Sequence, residues 1–320
     1  MPAPGTRGGV GVAGCIALLV AVGWLNAAAS PVAATSGSAS ATVYAWGQGN
    51  DGQLGVGSTA NSSDPLPVAL PGGVTAIAVS EGYGTSLAVG SDGRVYAWGA
   101  NQFGQLGDGT TAESRTPGPV SLPGSVTAVS EGRGTSLAVG ADGRVYAWGL
   151  NQAGQLGGGT TKRTARCNRT PCGKKPAVVP LPGGVQATAV SEGGSSTSYA
   201  LGANGTVYAW GGNAYRHPVA VSLPGRVKAR AVSAGATTTL ALGADGNVYA
   251  WSARLKAVKV RLPPGVVATA VSAGSPDGLA LSANGSVYAW DLDHAERPRG
   301  RDRYGSRPPG SSATAPRLVP

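Results

Sequence analysis

The sequence predicts an all-β chain folded as a β-propeller of four-stranded blades, and three observations carry that expectation. Gly (53) and Pro (23) together fill nearly a quarter of the 320 positions, and these are the two poorest helix formers. With 12% of residues charged and 42% hydrophobic, the chain is neither a coiled coil nor a highly charged disordered polymer, and it has enough apolar surface for a sizeable core. The tetrapeptide Val-Tyr-Ala-Trp recurs, ending at Trp46, Trp98, Trp148, Trp210, Trp251 and Trp290, and the last five copies each follow a turn dipeptide: Asp92-Gly93, Asp142-Gly143, Asn204-Gly205, Asp245-Gly246 or Asn284-Gly285.

The N-terminus stands apart from this pattern. Arg7 precedes an apolar run from Val10 to Leu25, small residues follow at Ala27, Ala28 and Ala29, and a Ser/Ala/Thr stretch continues to Ala41. That order is the pattern of a secretory signal peptide. Residues 1–41 therefore read as a signal and spacer, with cleavage expected between Ala29 and Thr42 and the mature chain secreted. A retained membrane anchor is the alternative, because Gly9 to Leu25 is 17 residues long, at the short edge of a spanning segment.

Residues 42–290 read as the repeat domain. Asp-Gly and Asn-Gly between apolar runs favour hairpins with type I′ turns, whose two central residues both need positive φ. Ser86 to Val89 is expected to pair with Arg94 to Trp98, and likewise in later copies. Upstream, Val74 to Val79 and Pro67 to Leu70 read as two more strands, with counterparts at Val126 to Val129 and Val120 to Leu122. Four short strands in a repeat of roughly 40–50 residues is propeller arithmetic. The six tetrapeptides hold 12 of the 18 aromatic residues, which are expected to pack blade on blade, with Trp98, Trp148, Trp210 and Trp251 buried, rather than to stack nucleic-acid bases.

The spacing from Trp148 to Trp210 is 62 residues against 50 from Trp98 to Trp148. The excess falls at 162–175 and is expected to leave the blade as a surface loop presenting Lys162, Arg163, Arg166, Arg169, Lys174 and Lys175. Cys167 and Cys172 are the cysteines left once Cys15 goes with the signal, and an even pair in an exported chain implies a disulfide. A metal site would need further ligands, and His217 and His294 lie elsewhere; neither a metal nor a cofactor is expected.

Closure is the irregular feature. Five units have four strands each, while Val43 to Trp46 stands as a strand without partners, giving five complete blades and an incomplete sixth. Residues 291–320 form a basic Pro/Gly-rich tail without strand periodicity in which Pro316-Arg317-Leu318-Val319 resembles the first strand of each unit and is a candidate closing strand.

The run Gly93-Arg94-Val95-Tyr96-Ala97-Trp98-Gly99 leading to Asn101-Gln102-Phe103-Gly104-Gln105-Leu106-Gly107, preceded by Ala78-Val79-Ser80-Glu81-Gly82 and Ser86-Leu87-Ala88, resembles the regulator of chromosome condensation repeat. The resemblance spans about residues 43–290 and implies a β-propeller, usually of seven blades; against that number the chain is expected to be C-terminally truncated, to tolerate a gap, or to pair with another chain. Gly-Gln-Leu-Gly is present at Gly52 to Gly55, Gly104 to Gly107 and Gly154 to Gly157, and is lost after Trp210 and Trp251. The family's frequent His before the Ser-Leu-Ala strand is replaced by Thr85, Thr135, Thr197, Thr238 and Asp277.

Binding rather than catalysis is the expected function. Two histidines in unrelated positions give no Ser/His/Asp pattern, and Glu81, Glu131 and Glu192 recur because the repeat does; such a Glu at a strand end is expected to satisfy local backbone donors. The step after Val-Ser-Glu/Ala-Gly varies, as Tyr83, Arg133, Ser195, Ala236 and Ser275, while its flanks repeat. Tyr83 and Arg133, with Phe103 and Tyr215 from the loops after Trp-Gly, are the binding-face candidates. From Thr42 to Thr161 four Arg face eight Asp or Glu, and the overall net charge of +10 belongs to the later half. An unidentified protein or an anionic cell-surface polymer is the expected partner, and the export signal argues against nucleic acid. The alternatives are a propeller-scaffold enzyme acting on polysaccharide, which would need paired carboxylates in one pocket, and an inhibitor resembling the secreted β-lactamase-inhibiting propellers. GTPase exchange, known among eukaryotic relatives, conflicts with export.

Overall fold

Each Val-Tyr-Ala-Trp copy forms a strand, and six such strands organise six sheets in a computed structural model. The structure describes residues 18–22, 43–159, 165–194, 196–212, 214–252, 255–274 and 277–291. Sheet two sets the pattern, with Ala76–Glu81, Thr85–Gly90, Val95–Gly99 and Ser114–Val120 as consecutive antiparallel neighbours. Sheet four (Ala187–Gly193, Thr197–Gly202, Val207–Gly211, Tyr215–Val221) and sheet five (Ala229–Ala234, Thr239–Gly243, Val248–Trp251, Val258–Lys259) repeat it. Helix among the described residues is confined to three short 3-10 turns at Pro71–Gly73, Pro182–Gly184 and Pro224–Arg226.

The six sheets agree with a propeller of five or six blades, but the strands are shared out differently from the sequence expectation. The Pro67 segment does not open the following unit. Ser62–Val68 is the outer strand of sheet one, antiparallel to Val43–Gly47 with Val43 opposite Val68. Pro65 and Pro67 explain this, because proline lacks the N–H a central strand must donate and is tolerated at a sheet edge. The chain crosses to the next sheet only afterwards, through Pro71–Gly73, where Gly72 and Gly73 both have φ near 70°. Val43–Gly47 is therefore not partnerless, and its other neighbour is Leu18–Val22, parallel to it. Sheet six (Ala268–Ala273, Asp277–Ser282, Val287–Asp291) has three strands among the described residues, with Val287–Asp291 at its outer edge.

The insertion is built into sheet three (Val126–Glu131, Thr135–Gly140, Val145–Leu150) rather than leaving it as a loop. Thr170–Val179 is a ten-residue outer strand, and Ala165–Cys167 pairs with it as a fifth. The connecting residues Asn168 and Arg169 have φ of 48° and 68°, the pair of positive angles a type I′ turn requires. At the recurrent Asp-Gly and Asn-Gly sites the turn differs from that expectation, since Gly93 takes φ 76° while Asp92 does not enter the positive region. Gly93 N donates to Gly90 O and Gly90 N to Arg94 O, so the loop is a turn closed by a glycine bulge. The Asp92 carboxylate accepts from Arg94 N at 3.0 Å, which needs no left-handed backbone at the aspartate.

The core lies between successive sheets. Leu87, Val89, Val95 and Ala97 of sheet two meet Ala138, Tyr146 and Trp148 of sheet three, and the same alternation builds the interfaces of sheets one and two, three and four, four and five, and five and six. Trp98, Trp148, Trp210 and Trp251 are fully buried there, as expected.

Candidate interaction face

The loop joining the first two strands of each sheet and the loop after Trp-Gly open at the same end, because backbone bonds tie them together: Ala100 N donates to Gly84 O and Leu150 N to Gly134 O. Within the second loop Gln105 Oε1 accepts from Phe103 N, Asn101 Oδ1 accepts from Leu106 N, and Asn101 Nδ2 donates to Ala112 O. The Asn and Gln of this motif are therefore internal scaffolding, buried and unable to face a ligand.

What remains outward at that end are three of the four predicted residues. Tyr83 is 63% exposed, and its backbone N donates to Gly132 O of the next sheet at 3.0 Å. The Arg133 guanidinium carbon lies 5.8 Å from the Tyr83 ring centroid, a cation–π distance. Half-buried Phe103 lies over Gly134, where an added Cβ would come within 2.9 Å of its ring. Sheets two and three thus bring Tyr83, Arg133 and Phe103 to one patch. Tyr215 does not join it. It lines a separate open groove of about 630 Å³ between the outer strands of sheets four and five, with Leu223, Leu255 and Lys256.

The four described residues of the predicted basic patch divide into two pairs. Lys162 and Arg163 lie outside the described residues, as do Ser195 and Ser275. Arg166 and Arg169 are exposed at the hairpin tip, where Arg166 donates to Arg169 O at 3.0 Å. Lys174 and Lys175 lie instead against Gly104 and Gly109 of the preceding sheet, and Gly109 N donates to Lys174 O, so strand pairing fixes their direction. Cys167 and Cys172 are buried and in bonding geometry, Cα to Cα 5.8 Å.

The recurrent glutamates do something the sequence reading did not foresee. Their backbone N–H groups bind across the sheets: Glu131 N donates to Ser80 Oγ and Glu192 N to Ser130 Oγ, both at 2.9 Å. Their side chains are buried against the glycine of the preceding sheet, Glu131 at Gly82 and Glu192 at Gly132. Ser136 hydrogen-bonds with the Glu131 carboxyl; Glu192 lies beside Ser198 with neither carboxyl oxygen in hydrogen-bonding geometry. Burial pushes Glu81 and Glu192 up to about 8 and Glu131 well above the usual carboxylate range, the last also through its neighbours Glu192 and Glu81. These carboxyls satisfy no local backbone donors. The signal for this role was present in the invariable glycine after each Glu, which leaves room for the next side chain.

The chain matches two models of the regulator of chromosome condensation (RCC1) repeat, one at residues 40–89, 92–139 and 142–200 and the other at 74–105 and 126–155. Similar relatives include the ultraviolet-B receptor UVR8 of Arabidopsis thaliana (41% identical over 75 residues, 23% of this chain and 17% of the receptor) and the X-linked retinitis pigmentosa GTPase regulator homolog of Caenorhabditis elegans (44% over 66 residues, 21% and 5%). The human E3 ubiquitin-protein ligase HERC2 is 39% identical over 82 residues, 25% of this chain and 2% of the ligase. The matched stretch thus spans under a fifth of each of these proteins. Among solved structures, human WBSCR16 superposes with a TM-score of 0.66 at 21% identity, covering 78% of this chain and 70% of that one. Prp20p of Saccharomyces cerevisiae, whose structure was described with its binding to Gsp1p and histones, gives 0.64 at 21% identity, covering 78% and 65%. Sheet architecture, the Trp-Gly and Gly-Gln-Leu-Gly elements and these matches agree, and the chain belongs to the regulator of chromosome condensation repeat family of β-propellers.

Proposed function

We propose that the chain is an exported, non-enzymatic binding propeller that docks a partner protein on the patch formed by Tyr83, Arg133 and Phe103. One observation carries this reading: Tyr83 is a large aromatic held out in solvent, its backbone tied to the neighbouring sheet and its ring stacked by Arg133. Tyr and Arg are the residue types that dominate interface energetics, and an anchor fixed before binding loses little entropy on docking. The net negative balance of residues 42–161, which supply this patch, favours a protein over an anionic polymer. Burial of Glu131 and Glu192 between sheets removes them from any shared polysaccharide pocket. Relatives that carry the repeat include a receptor and a GTPase regulator homolog, which supports an interaction role. Export rests on the order of residues 1–41.

The test places a photo-crosslinking amino acid at position 83 or, as control, at exposed Val178 on the outer strand of sheet three, and exposes each variant to culture supernatant and cell surface. The reading expects one protein species attached at 83 and absent at 178. Equal labelling at both positions would contradict it.

A further inference from the structure

In every sheet but the last, the Val-Tyr-Ala-Trp strand is flanked on its outer side. Val43 is opposite Val68, Val95 opposite Val120, Val145 opposite Val179 and Val207 opposite Val221, and in sheet five Val260 N donates to Val248 O at 2.8 Å. The flanking valines are all buried, inside the apolar interfaces between sheets. Four of these outer strands carry Pro-x-x-Val, at Pro65 to Val68, Pro117 to Val120, Pro176 to Val179 and Pro218 to Val221.

Among the described residues sheet six has no such flank: Val287–Asp291 pairs there with Asp277–Ser282 on one side, which leaves a row of backbone donors and acceptors at the outer edge. Val287 is 66% and Leu281 41% exposed, on the face whose counterparts Val248 and Leu242 in sheet five are covered by the following sheet and by the flanking Val260, so a flanking strand would cover the outer part of that face. Beyond Asp291, Pro-x-x-Val occurs once, at Pro316-Arg317-Leu318-Val319, and Val319-Pro320 repeats Val179-Pro180. The reach is within the range the fold already uses, since 26 residues separate Trp290 from Pro316, against 19 from Trp46 to Pro65 and 28 from Trp148 to Pro176. Loop closure over such lengths differs by a few tenths of a kcal/mol at most, about (3/2)RT times the logarithm of the length ratio.

We propose that Pro316–Val319 docks antiparallel on Val287–Asp291 as the fourth strand of sheet six, with Val319 opposite Val287, Leu318 opposite Tyr288 and Arg317 opposite Ala289. Val319 then lies beside Val287 as Val68 lies beside Val43, and the proline sits at an edge where its missing N–H costs nothing. This differs from using the tail to complete sheet one, whose outer position Ser62–Val68 already occupies. It is independent of the binding reading above.

Two measurements on the full chain test it. With Cys15→Ser, mild oxidation is applied to Ala289→Cys/Arg317→Cys and to the out-of-register control Ala289→Cys/Arg307→Cys, and the monomer is peptide-mapped. A bridge in the first pair and at least tenfold less in the control is expected; equal yields, or bridging only between two molecules, would overturn the assignment. Independently, Val319→Asp is expected to speed amide hydrogen exchange across residues 287–290 about tenfold while sheets two to four keep their protection. Unchanged exchange at 287–290 would overturn it as well.

Discussion

The indole Nε1 of Trp98 donates to the backbone oxygen of Gln53 at 2.8 Å, across the interface between sheets one and two. The bond recurs from Trp148 to Gln105 and from Trp210 to Gln155, both at 2.7 Å. The same carbonyls accept from Ser86, Ser136 and Ser198. Gly-Gln-Leu-Gly is thus a clasp that closes over the tryptophan of the next sheet, and its glycines are required because a Cβ at Gly55, Gly107 or Gly157 would approach that indole within 3.0 Å. The motif is missing after Trp210, and among the described residues Trp251 Nε1 lies beside Tyr199 with no partner in hydrogen-bonding geometry. Tyr199 stands there where Leu87 and Leu137 stand in sheets two and three, its ring edge-on to Trp251 at 6.0 Å.

The clasp predicts unequal costs for one substitution. Trp148→Phe removes ring area and a buried hydrogen bond, whereas Trp251→Phe removes ring area alone. The first should be more destabilising by about 1 kcal/mol, the net worth of such a bond, as read from urea denaturation of the two variants side by side.

A second expectation follows from Glu192. In the unfolded chain its carboxyl titrates near 4.5, while burial holds it protonated up to about 8 in the fold. The stability that protonation contributes is complete below the lower value and is lost as pH rises through the upper one. Unfolding free energy should therefore fall between about pH 5 and pH 8.5, and Glu192→Gln should reduce that fall by roughly 2 kcal/mol, a discounted share of the full linkage. Denaturation curves of both proteins at the two pH values check this.

The bridge between Cys167 and Cys172 closes six residues, so reduction should cost about 2 kcal/mol or less on the chain-entropy scale. Circular dichroism should keep its β signature after reduction, because the hairpin remains paired to Val145–Leu150. A lost β signature would assign the bridge a role in folding sheet three.

Much of this was legible in the chain. Recurrence of Tyr and Trp at period 2 within one tetrapeptide fixes which residues face each neighbouring sheet, and the Asp-Gly and Asn-Gly sites mark the hairpins, because those features act locally. The ownership of the outer strand was not legible, since Pro67 is closer in sequence to Val74 than to Val43–Gly47, the strand it joins, and only edge geometry decides. The turn type was misread because Asp92 supplies a side-chain acceptor in place of a positive φ. Tyr83 and Arg133 were found by their variation within a repeat, but their stacking required the offset between sheets, and the separation of Tyr215 from them required the radial position of an outer strand.

Export has its own check. N-terminal sequencing of secreted protein should begin between Ala29 and Thr42. Cleavage there removes Leu18–Val22 and leaves the inner edge of Val43–Gly47 open, so the mature chain should show faster amide exchange at 43–47 than the uncleaved one. Recovery of chains with intact residues 1–25 in membranes would favour the anchor instead.

The central claim is that binding is carried by the Tyr83 and Arg133 patch rather than by the basic hairpin. Its most direct test is the affinity of the species cross-linked at position 83 for three purified proteins: wild type, Tyr83→Ala/Arg133→Ala, and Arg166→Ala/Arg169→Ala. The account predicts a loss of about tenfold or more, at least 1.4 kcal/mol, for the first pair and less than about twofold for the second. Equal affinity of wild type and Tyr83→Ala/Arg133→Ala, with a loss confined to the hairpin variant, would contradict it.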